Sequence, residues 1–412
     1  MPSPLPTEMN ALILTPSTKT ASVQNIPTPT PGPGQVLIRI HAVAINPVDQ
    51  IYFNEPIAAQ EKRVLGVDFA GEVVAVHEGL NDVEDRRVTI GERVAGFVQG
   101  ANSVNDLPGA FAQYVAAPYD LLWSIPSPLS YEEACTVSMC ALTAAQALFP
   151  RFGLPGPFFT PEEKSLPTPD PNRQKGEDVV NVLINGSSSS LGFYAAQLVH
   201  AAAQTSGRKF RLIGTASSSK HTFLYAPPYS YDHLFDYRDA TWLEKVRNAT
   251  KGVGVHYALD TISERDTVAN VHSTLNPSGK YHVFRGQDAG MFHTRDLEIQ
   301  PVYGTVWEGL GHVVDYGDGL VFSAPPSARA FAVNFFEWLS SGFNEGRVVL
   351  QPNPVRKMPG GLERIVPDAF SLLSGLVSVR SGAAAKEGGQ QGGEVEEHMR
   401  PISGEKLVYS IV

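Results

Sequence analysis

Val182-Leu183-Ile184-Asn185-Gly186-Ser187-Ser188-Ser189-Ser190-Leu191-Gly192 runs from a buried-strand pattern through a turn of small residues into the start of a helix. An uninterrupted apolar run suits a strand covered on both faces, and a turn without bulky side chains lets backbone N–H groups approach an anion at the helix N-terminus. The stretch is not a strict GxGxxG, and a Ser/Gly loop taken alone is an ordinary turn. The strand before it and the helix after it give it the form of a pyrophosphate-binding βα unit.

Downstream, a helix over Leu191 to Ala203 leads to a strand over Arg211 to Thr215, with further strand signals at Leu234 to Asp236, Val255 to Asp260 and Lys280 to Val283. Strands alternating with helices predict a doubly wound parallel sheet that takes its ligand at the carboxyl ends of the strands. About 20 residues past the turn, an NAD enzyme carries Asp or Glu for the ribose hydroxyl. Here stands Thr215-Ala216-Ser217-Ser218-Ser219-Lys220. Hydroxyls and an ammonium suit a 2′-phosphate, which favours NADPH over NADH; a solvated polar turn is the alternative reading.

Upstream, residues 11 to 120 read as β-rich: Val36 to Ala44 alternates in part, Gly71 to Val76 is β-branched, and Ala112 to Ala117 follows Gly109. Ser130-Tyr131-Glu132-Glu133 has the spacing of a capping box, and Ala134 to Leu148 suits a buried helix. The Pro-rich stretch Arg151 to Asp178 reads as a surface loop inserted before the first strand of the parallel sheet. After Ser327 comes an amphipathic helix stopped near Gly342, then another over Leu362 to Leu376. The low-complexity run Ala383 to His398 and a last strand, Lys406 to Val412, complete the chain. No internal repeat is visible.

The 412 residues exceed one ordinary core, so two domains are expected, either consecutive or interleaved. With 42% hydrophobic and 18% charged residues the composition is globular, and no apolar run reaches the roughly 18 residues of a membrane helix. The first ten residues show no leader, which makes the cytoplasm the expected compartment. A formal charge of −10 with a pI near 5.6 argues against nucleic acid as a partner. Cys135 and Cys140 read as buried thiols. The histidines are scattered, with neither HExxH nor CxxC, so no metal site is expected; GxSxG is lacking too, which leaves the chemistry to a cofactor.

Gly66-Val67-Asp68-Phe69-Ala70-Gly71-Glu72-Val73, Gly91-Glu92-Arg93-Val94 and Gly109-Ala110-Phe111-Ala112-Gln113-Tyr114, together with the serine turn, resemble the medium-chain dehydrogenase/reductase superfamily over nearly the whole chain. That resemblance implies a Rossmann-type domain, 131–325, plus a GroES-like β-rich catalytic domain built from both chain ends, 1–130 and 326–412. Zinc members carry Cys where this chain has Asn46-Pro47-Val48-Asp49, and Gly-His-Glu where it has Gly66-Val67-Asp68, so a zinc-independent member is implied. NPxD, FDYR at Phe235 to Arg238, YALD at Tyr257 to Asp260 and SGEKLV at Ser403 to Val408 are most similar to the trans-acting enoyl reductases of fungal polyketide synthases, the lovastatin type. The resemblance then implies NADPH-dependent reduction of the α,β double bond of an acyl thioester. The acyl chain sits on the carrier protein of a partner polyketide synthase, or of its hybrid with a peptide synthetase, and the reductase is a monomer.

Carried over by motif, Val48, Asp49, Gln50 and Ile51 would lie by the nicotinamide, and Ser187, Ser188, Ser189 and Ser190 by the pyrophosphate. Ser217, Ser218, Ser219 and Lys220 with Tyr237 would hold the 2′-phosphate and adenosine ribose, and Phe284, Arg285, Glu405 and Lys406 would complete the cofactor contacts. Thr143, Ala144, Ala145, Gln146, Ala147, Leu148, Phe149 and Pro150 would line the acyl channel with Gln300, Pro301, Val302, Tyr303 and Gly304. Relatives often place a lysine where this chain has Ile51, so Thr143 becomes the candidate polar group by the reacting carbons; a hydroxyl bonded to its own helix is the alternative. Tyr52, Tyr303 and His312 are proton donors by residue type, and Trp307 to Gly311 is a loop that either shapes the channel or packs. A free-standing quinone or alkenal reductase and a non-catalytic cofactor-binding protein are the competing functions.

Overall fold

The computed structural model describes residues 4–57, 61–102, 104, 107–158, 179–317, 319–380 and 396–411. The chain forms two units, one of Met1–Met139, Val306–Ser374 and Gly393–Val412, the other of Cys140–Thr305 and Gly375–Gly392. Most of the Pro-rich stretch and of the low-complexity run lies outside the described residues.

The second unit is a five-stranded parallel sheet in the order His233–Phe235, Lys209–Thr215, Val179–Asn185, Val255–Asp260, Leu275–Val283. Val179–Asn185 is central and buried along almost its whole length, as the apolar run required. The order reverses between Val179–Asn185 and Val255–Asp260, which puts the ligand crevice of an open sheet at the carboxyl ends of these two strands. Those ends are tied side to side. The Thr215 hydroxyl donates to Asn185 Oδ1 (2.5 Å), and Asn185 Nδ2 donates to the fully buried Asp260 (2.7 Å), which also accepts from Ser263 N (2.9 Å) and Thr267 Oγ1 (2.8 Å). The strand expected at Lys280 to Val283 begins earlier, at Leu275; Pro277 and Gly279 hid its first half, since both are poor strand residues tolerated at a sheet edge.

The first unit is β-rich. One sheet runs Val355–Lys357, Lys406–Ser410, Gln35–Ala44, Asp68–Val76, Arg93–Phe97, Leu122–Ser124, with Tyr114–Pro118 also paired to Gln35–Ala44; a second joins Thr20–Pro27, Glu8–Thr15 and Arg63–Val64. Ile38, Ile40, Phe69, Val73, Phe111 and Leu407 share its apolar core. The expected domain limits at 130/131 and 325/326 differ from the unit limits at Met139/Cys140 and Thr305/Val306. Trp123 Nε1 donates to Ser138 Oγ (3.0 Å), and Phe97 packs on Trp307 and Phe336, so these flanking residues belong to the β-rich unit. Trp307 is buried, which favours packing for the loop that contains it.

The helix expected over Ala134 to Leu148 is three pieces: Tyr131–Ala134, Ser138–Gln146 and a π-helical turn, Ala147–Arg151. The capping box is there, with Glu133 Nα donating to Ser130 Oγ and Ser130 N donating to Glu133. Thr136 then bonds back to Glu133 O (2.8 Å), and Pro150 removes a donor from the last turn. Phe152 and Leu154 are core residues, so the surface loop starts later than Arg151. Likewise Leu362 to Leu376 breaks into Leu362–Arg364, the π-helical Ile365–Phe370 around Pro367, and Ser371–Leu373.

Candidate functional site

In the second unit the serine turn closes on itself. Gly186 has φ +79°, and a Cβ at Gly192 would stand 2.5 Å from Gly186 O, so both positions need glycine for strand and helix to approach this closely. Ser187 is buried and donates to Ile184 O (2.9 Å). Ser189, the N-cap of Ser190–Ser206, accepts from Gly192 N (2.9 Å) and bonds Thr261 Oγ1 (2.9 Å). The side chains of Ser187 and Ser189 therefore build the turn, while Ser188 and Ser190 are half-exposed. In the first turn of a 17-residue helix, the amides of Ser190 and Leu191 are donors that helix geometry leaves over, and an anion fits there.

After the second strand, Ser217 and Lys220 are half-buried and Ser218 and Ser219 exposed. One residue missed in the sequence stands with them. Asp236, at the end of the third strand, accepts the Ser218 amide (3.0 Å) and hydroxyl (2.7 Å) and is gripped by Arg238 through Nε (2.8 Å) and Nη2 (2.5 Å). The Arg238 guanidinium holds this carboxyl well below the usual carboxylate range. The site thus contains a carboxylate besides the hydroxyls and the ammonium read from the sequence, but its charge is balanced by an arginine that lies 5.5 Å from the Tyr237 ring centre. The FDYR motif was the signal: an acid two residues before a base at a strand end.

Phe284 donates its amide to Ser263 Oγ (2.9 Å), and Arg285 pairs with the buried Glu264 (3.2 Å). Of the acyl-channel set, Ala144, Ala145, Ala147, Leu148 and Phe149 are buried to 1% exposure or less, and Gln146 to 2%, so they form core; Thr143 is half-buried and Pro150 exposed. Val302 bridges His282 along the fifth strand, with Val302 and Tyr303 exposed. Gln300 is turned onto Thr294 O and Leu297 O, and a Cβ on Gly304 would strike Arg151, a neighbour the sequence did not offer.

In the first unit, Asn46 caps the helix Pro47–Asn54 and anchors a buried polar cluster. Its amide donates to Asp49 Oδ2 (2.8 Å), its Nδ2 donates to Asp68 Oδ2 (2.9 Å), and Lys406 Nζ donates to its Oδ1. Lys406 also pairs with Asp68 (3.5 Å), whose other oxygen accepts Met139 N (3.0 Å). Burial pushes the Asp49 carboxyl up to about 8, Asp68 adding to the rise and the Asn46 amide and Lys406 opposing it. Gln50 is buried, Val48 half-buried and Ile51 exposed. The expected cofactor contacts at 405 and 406 are occupied within the unit: Lys406 is 3% exposed on Asn46 and Asp68, and Glu405 is held by Arg356 (3.3 Å) and Arg400 (2.6 Å).

Of the proton donors named by type, His312 is bonded to Gln99 (2.9 Å), burial lowering its pKa; Tyr52 stacks on Tyr316. Cys135 is buried, but Cys140 is half-exposed. Among the described residues no group of three or more His, Cys, Asp or Glu is placed to hold a metal, and no helix is long and apolar enough to cross a membrane.

Residues 32–127 match the alcohol dehydrogenase GroES-like domain. Over 409 residues the chain is 30% identical to the trans-enoyl reductase traG of Penicillium crustosum, spanning 99% of this chain and 98% of that protein. Over 382 residues it is 32% identical to the trans-enoyl reductase ffsC of Aspergillus flavipes, spanning 91% and 95%. Among solved structures, the CurK enoyl reductase shares the fold at a TM-score of 0.63 and 17% identity, over 98% of this chain and 99% of that one. Mycobacterial Rv1454c, complexed with NADPH, shares it at 0.64 and 18% identity, over 98% and 100%. The motif order, the parallel sheet of one unit with the GroES-like match of the other, and full-length identity at this level together show that the chain belongs to the fungal trans-enoyl reductases, oxidoreductases of the medium-chain dehydrogenase/reductase superfamily.

Proposed function

We propose that this chain uses NADPH to saturate the α,β double bond of a polyketide held as a thioester on the acyl carrier protein of a partner polyketide synthase, free or fused to a nonribosomal peptide synthetase. The observation that carries this reading is the 30% identity to a trans-enoyl reductase across 99% of the chain. The same reading makes the protein a cytoplasmic monomer that needs no zinc.

A dinucleotide fits the second unit. The tight glycine turn and the left-over amides of Ser190 and Leu191 suit a pyrophosphate, and Lys220 offers a cation for a 2′-phosphate beside an Asp236 that Arg238 neutralises. Bound there, NADPH would supply a hydride to the β-carbon. The residues of the chain have the remaining tasks. Thr143 would hold the thioester carbonyl or the nicotinamide amide by its hydroxyl, and Val48, Gln50 and Ile51 would flank the nicotinamide. Pro150, Val302 and Tyr303 would give the acyl chain apolar surface, and water or an acid of the chain would protonate the α-carbon. Positioning of the reacting carbons would supply most of the acceleration.

Incubation with NADPH and crotonyl-pantetheine tests this, read by mass spectrometry. Butyryl-pantetheine is the expected product. Quinone reduction in its place would move the chain to the free-standing quinone reductases, and binding of NADPH with turnover of neither would make it a cofactor-binding protein.

A further inference from the structure

Val314–Asp315 and Val321–Phe322 form a two-stranded hairpin of their own in the β-rich unit, and the proposed reaction gives it no task. Val314 pairs with Phe322 and Asp315 with Val321, antiparallel. The turn between them is tight: Tyr316 N donates to Leu320 O and Leu320 N to Gly317 O (3.0 Å each), and Gly317 and Gly319 stand at φ +82° and +81°, which glycine adopts without strain. Val104 N donates to Asp315 O (2.9 Å), Tyr52 stacks on Tyr316 with ring centres 6.0 Å apart, and Tyr316 meets Phe322 edge-on at 5.7 Å. The hairpin is thereby fixed to the helix Pro47–Asn54 of the same unit.

Strand alternation turns Val314 inward, where it is fully buried, and Val313 and Val321 outward. An outward position on a solvated hairpin ordinarily carries a polar side chain. Here Val313 and Val321, with Leu320 in the turn, are each more than half exposed. Apolar surface gathered in one place marks a binding surface. Size, charge and position identify what covers it. Three aliphatic side chains fall far short of the roughly 20 residues a side of a stable protein interface, and suit a single flexible chain. From Val313 to Phe322 the sequence has two carboxylates, Asp315 and Asp318, and no cation, so this surface repels the phosphate of a carrier's tether and accepts an uncharged alkyl chain. The helix that Tyr52 ties to the hairpin also carries Val48, Gln50 and Ile51, set by the nicotinamide in the reaction proposed above. The β-carbon receives the hydride there, so the alkyl chain beyond it leaves the nicotinamide beside this helix.

We propose that Val313, Leu320 and Val321, on the hairpin held by the Tyr52–Tyr316 stack, bind the alkyl tail of the enoyl thioester and set a preference for long acyl chains. The inference rests on the enoyl reductase reading and deepens it by naming the substrate class. In the test, kcat/KM with NADPH is measured for crotonyl-, 2-hexenoyl- and 2-decenoyl-pantetheine and for crotonyl on an acyl carrier protein. The wild type is compared with the double variant Leu320→Gln, Val321→Gln, whose positions lie outside the core. The wild type is expected to favour decenoyl over crotonyl by about tenfold or more, the worth of about two buried methylenes, and the glutamine variant to bring the two values together. Leu320→Met with Val321→Ile, still apolar, is expected to keep the preference. Equal use of the three pantetheine thioesters by the wild type, or a preference that the glutamine variant leaves unchanged, would overturn the proposal. So would a loss confined to the carrier-bound thioester, which assigns the surface to the carrier, or a wild-type dimer in sedimentation that the glutamine variant dissolves, which assigns it to a second copy. If no enoyl thioester turns over, the reductase reading fails on its own. Calorimetry with the saturated thioesters then decides the site: binding of decanoyl- over butyryl-pantetheine that the glutamine variant abolishes upholds it, and equal binding sinks it.

Discussion

Lys220 and Asp49 carry opposite lessons about single residues. Lys220 was singled out because its type answers a question posed by spacing: what stands where a ribose-binding carboxylate would be. Lys220→Glu should raise the Kd for NADPH by about tenfold or more while changing that for NADH little, since only the former brings a 2′-phosphate to meet the new carboxylate; titration by nucleotide fluorescence checks this, and equal losses would remove the assignment. Asp236 and Arg238 stayed hidden because their meaning depends on Ser218, 18 residues away from Asp236 and met only through the sheet. Asp49 was read as a cofactor neighbour, yet its environment is a closed cluster. With its pKa pushed up to about 8 from an unfolded value near 4, the folded protein holds a proton there that the unfolded chain releases. That contribution is present in full below about pH 4 and is lost as pH rises through about 8. Asp49→Asn keeps an acceptor for the Asn46 amide but has no such loss, so its Tm should gain on the wild type from pH 5 to pH 9, by about 5 °C or more. A constant difference across that range would contradict the buried, uncharged carboxyl.

At the scale of elements, the strand, turn and helix from Val179 to Ser206 were readable because the local signals agree: a run that suits a strand buried on both faces, small residues at the bend, and the start of a helix after it. The break-up of the helix after Ser130 was not readable, since it turns on one threonine hydroxyl bonding back and on a proline in the last turn, while the apolar pattern runs straight through. Of the channel expected along Thr143 to Pro150, Ala144 to Phe149 are buried and Thr143 only in part, since a segment apolar on every side packs as core. Gly192→Ala puts a methyl 2.5 Å from Gly186 O and 2.8 Å from Ser187 O. It should loosen the turn and cost at least tenfold in NADPH affinity, with far-ultraviolet circular dichroism unchanged. Unaltered affinity would mean that the turn does not hold the pyrophosphate.

For the whole molecule, the decisive contact joins distant parts of the chain. Lys406 meets Asp68 across 338 residues, and the strand Lys406–Ser410 pairs with Gln35–Ala44, so the β-rich unit is complete only when both ends of the chain have been made. That both ends share a domain was implied by the superfamily resemblance, but no periodicity reveals which carboxylate a buried lysine will meet. Lys406→Met takes the cation from the buried Asp68, a loss of about 3–5 kcal/mol in denaturant unfolding; the double variant Asp68→Asn, Lys406→Met should recover most of it. Additive losses would show that the pair is not coupled. The central claim concerns the reaction itself, and NADPH oxidation with crotonyl thioester on an acyl carrier protein, run beside NADH and beside a simple quinone, tests it most directly. The account predicts turnover of the carrier-bound thioester with NADPH and little with NADH or the quinone; quinone turnover without thioester turnover would contradict it.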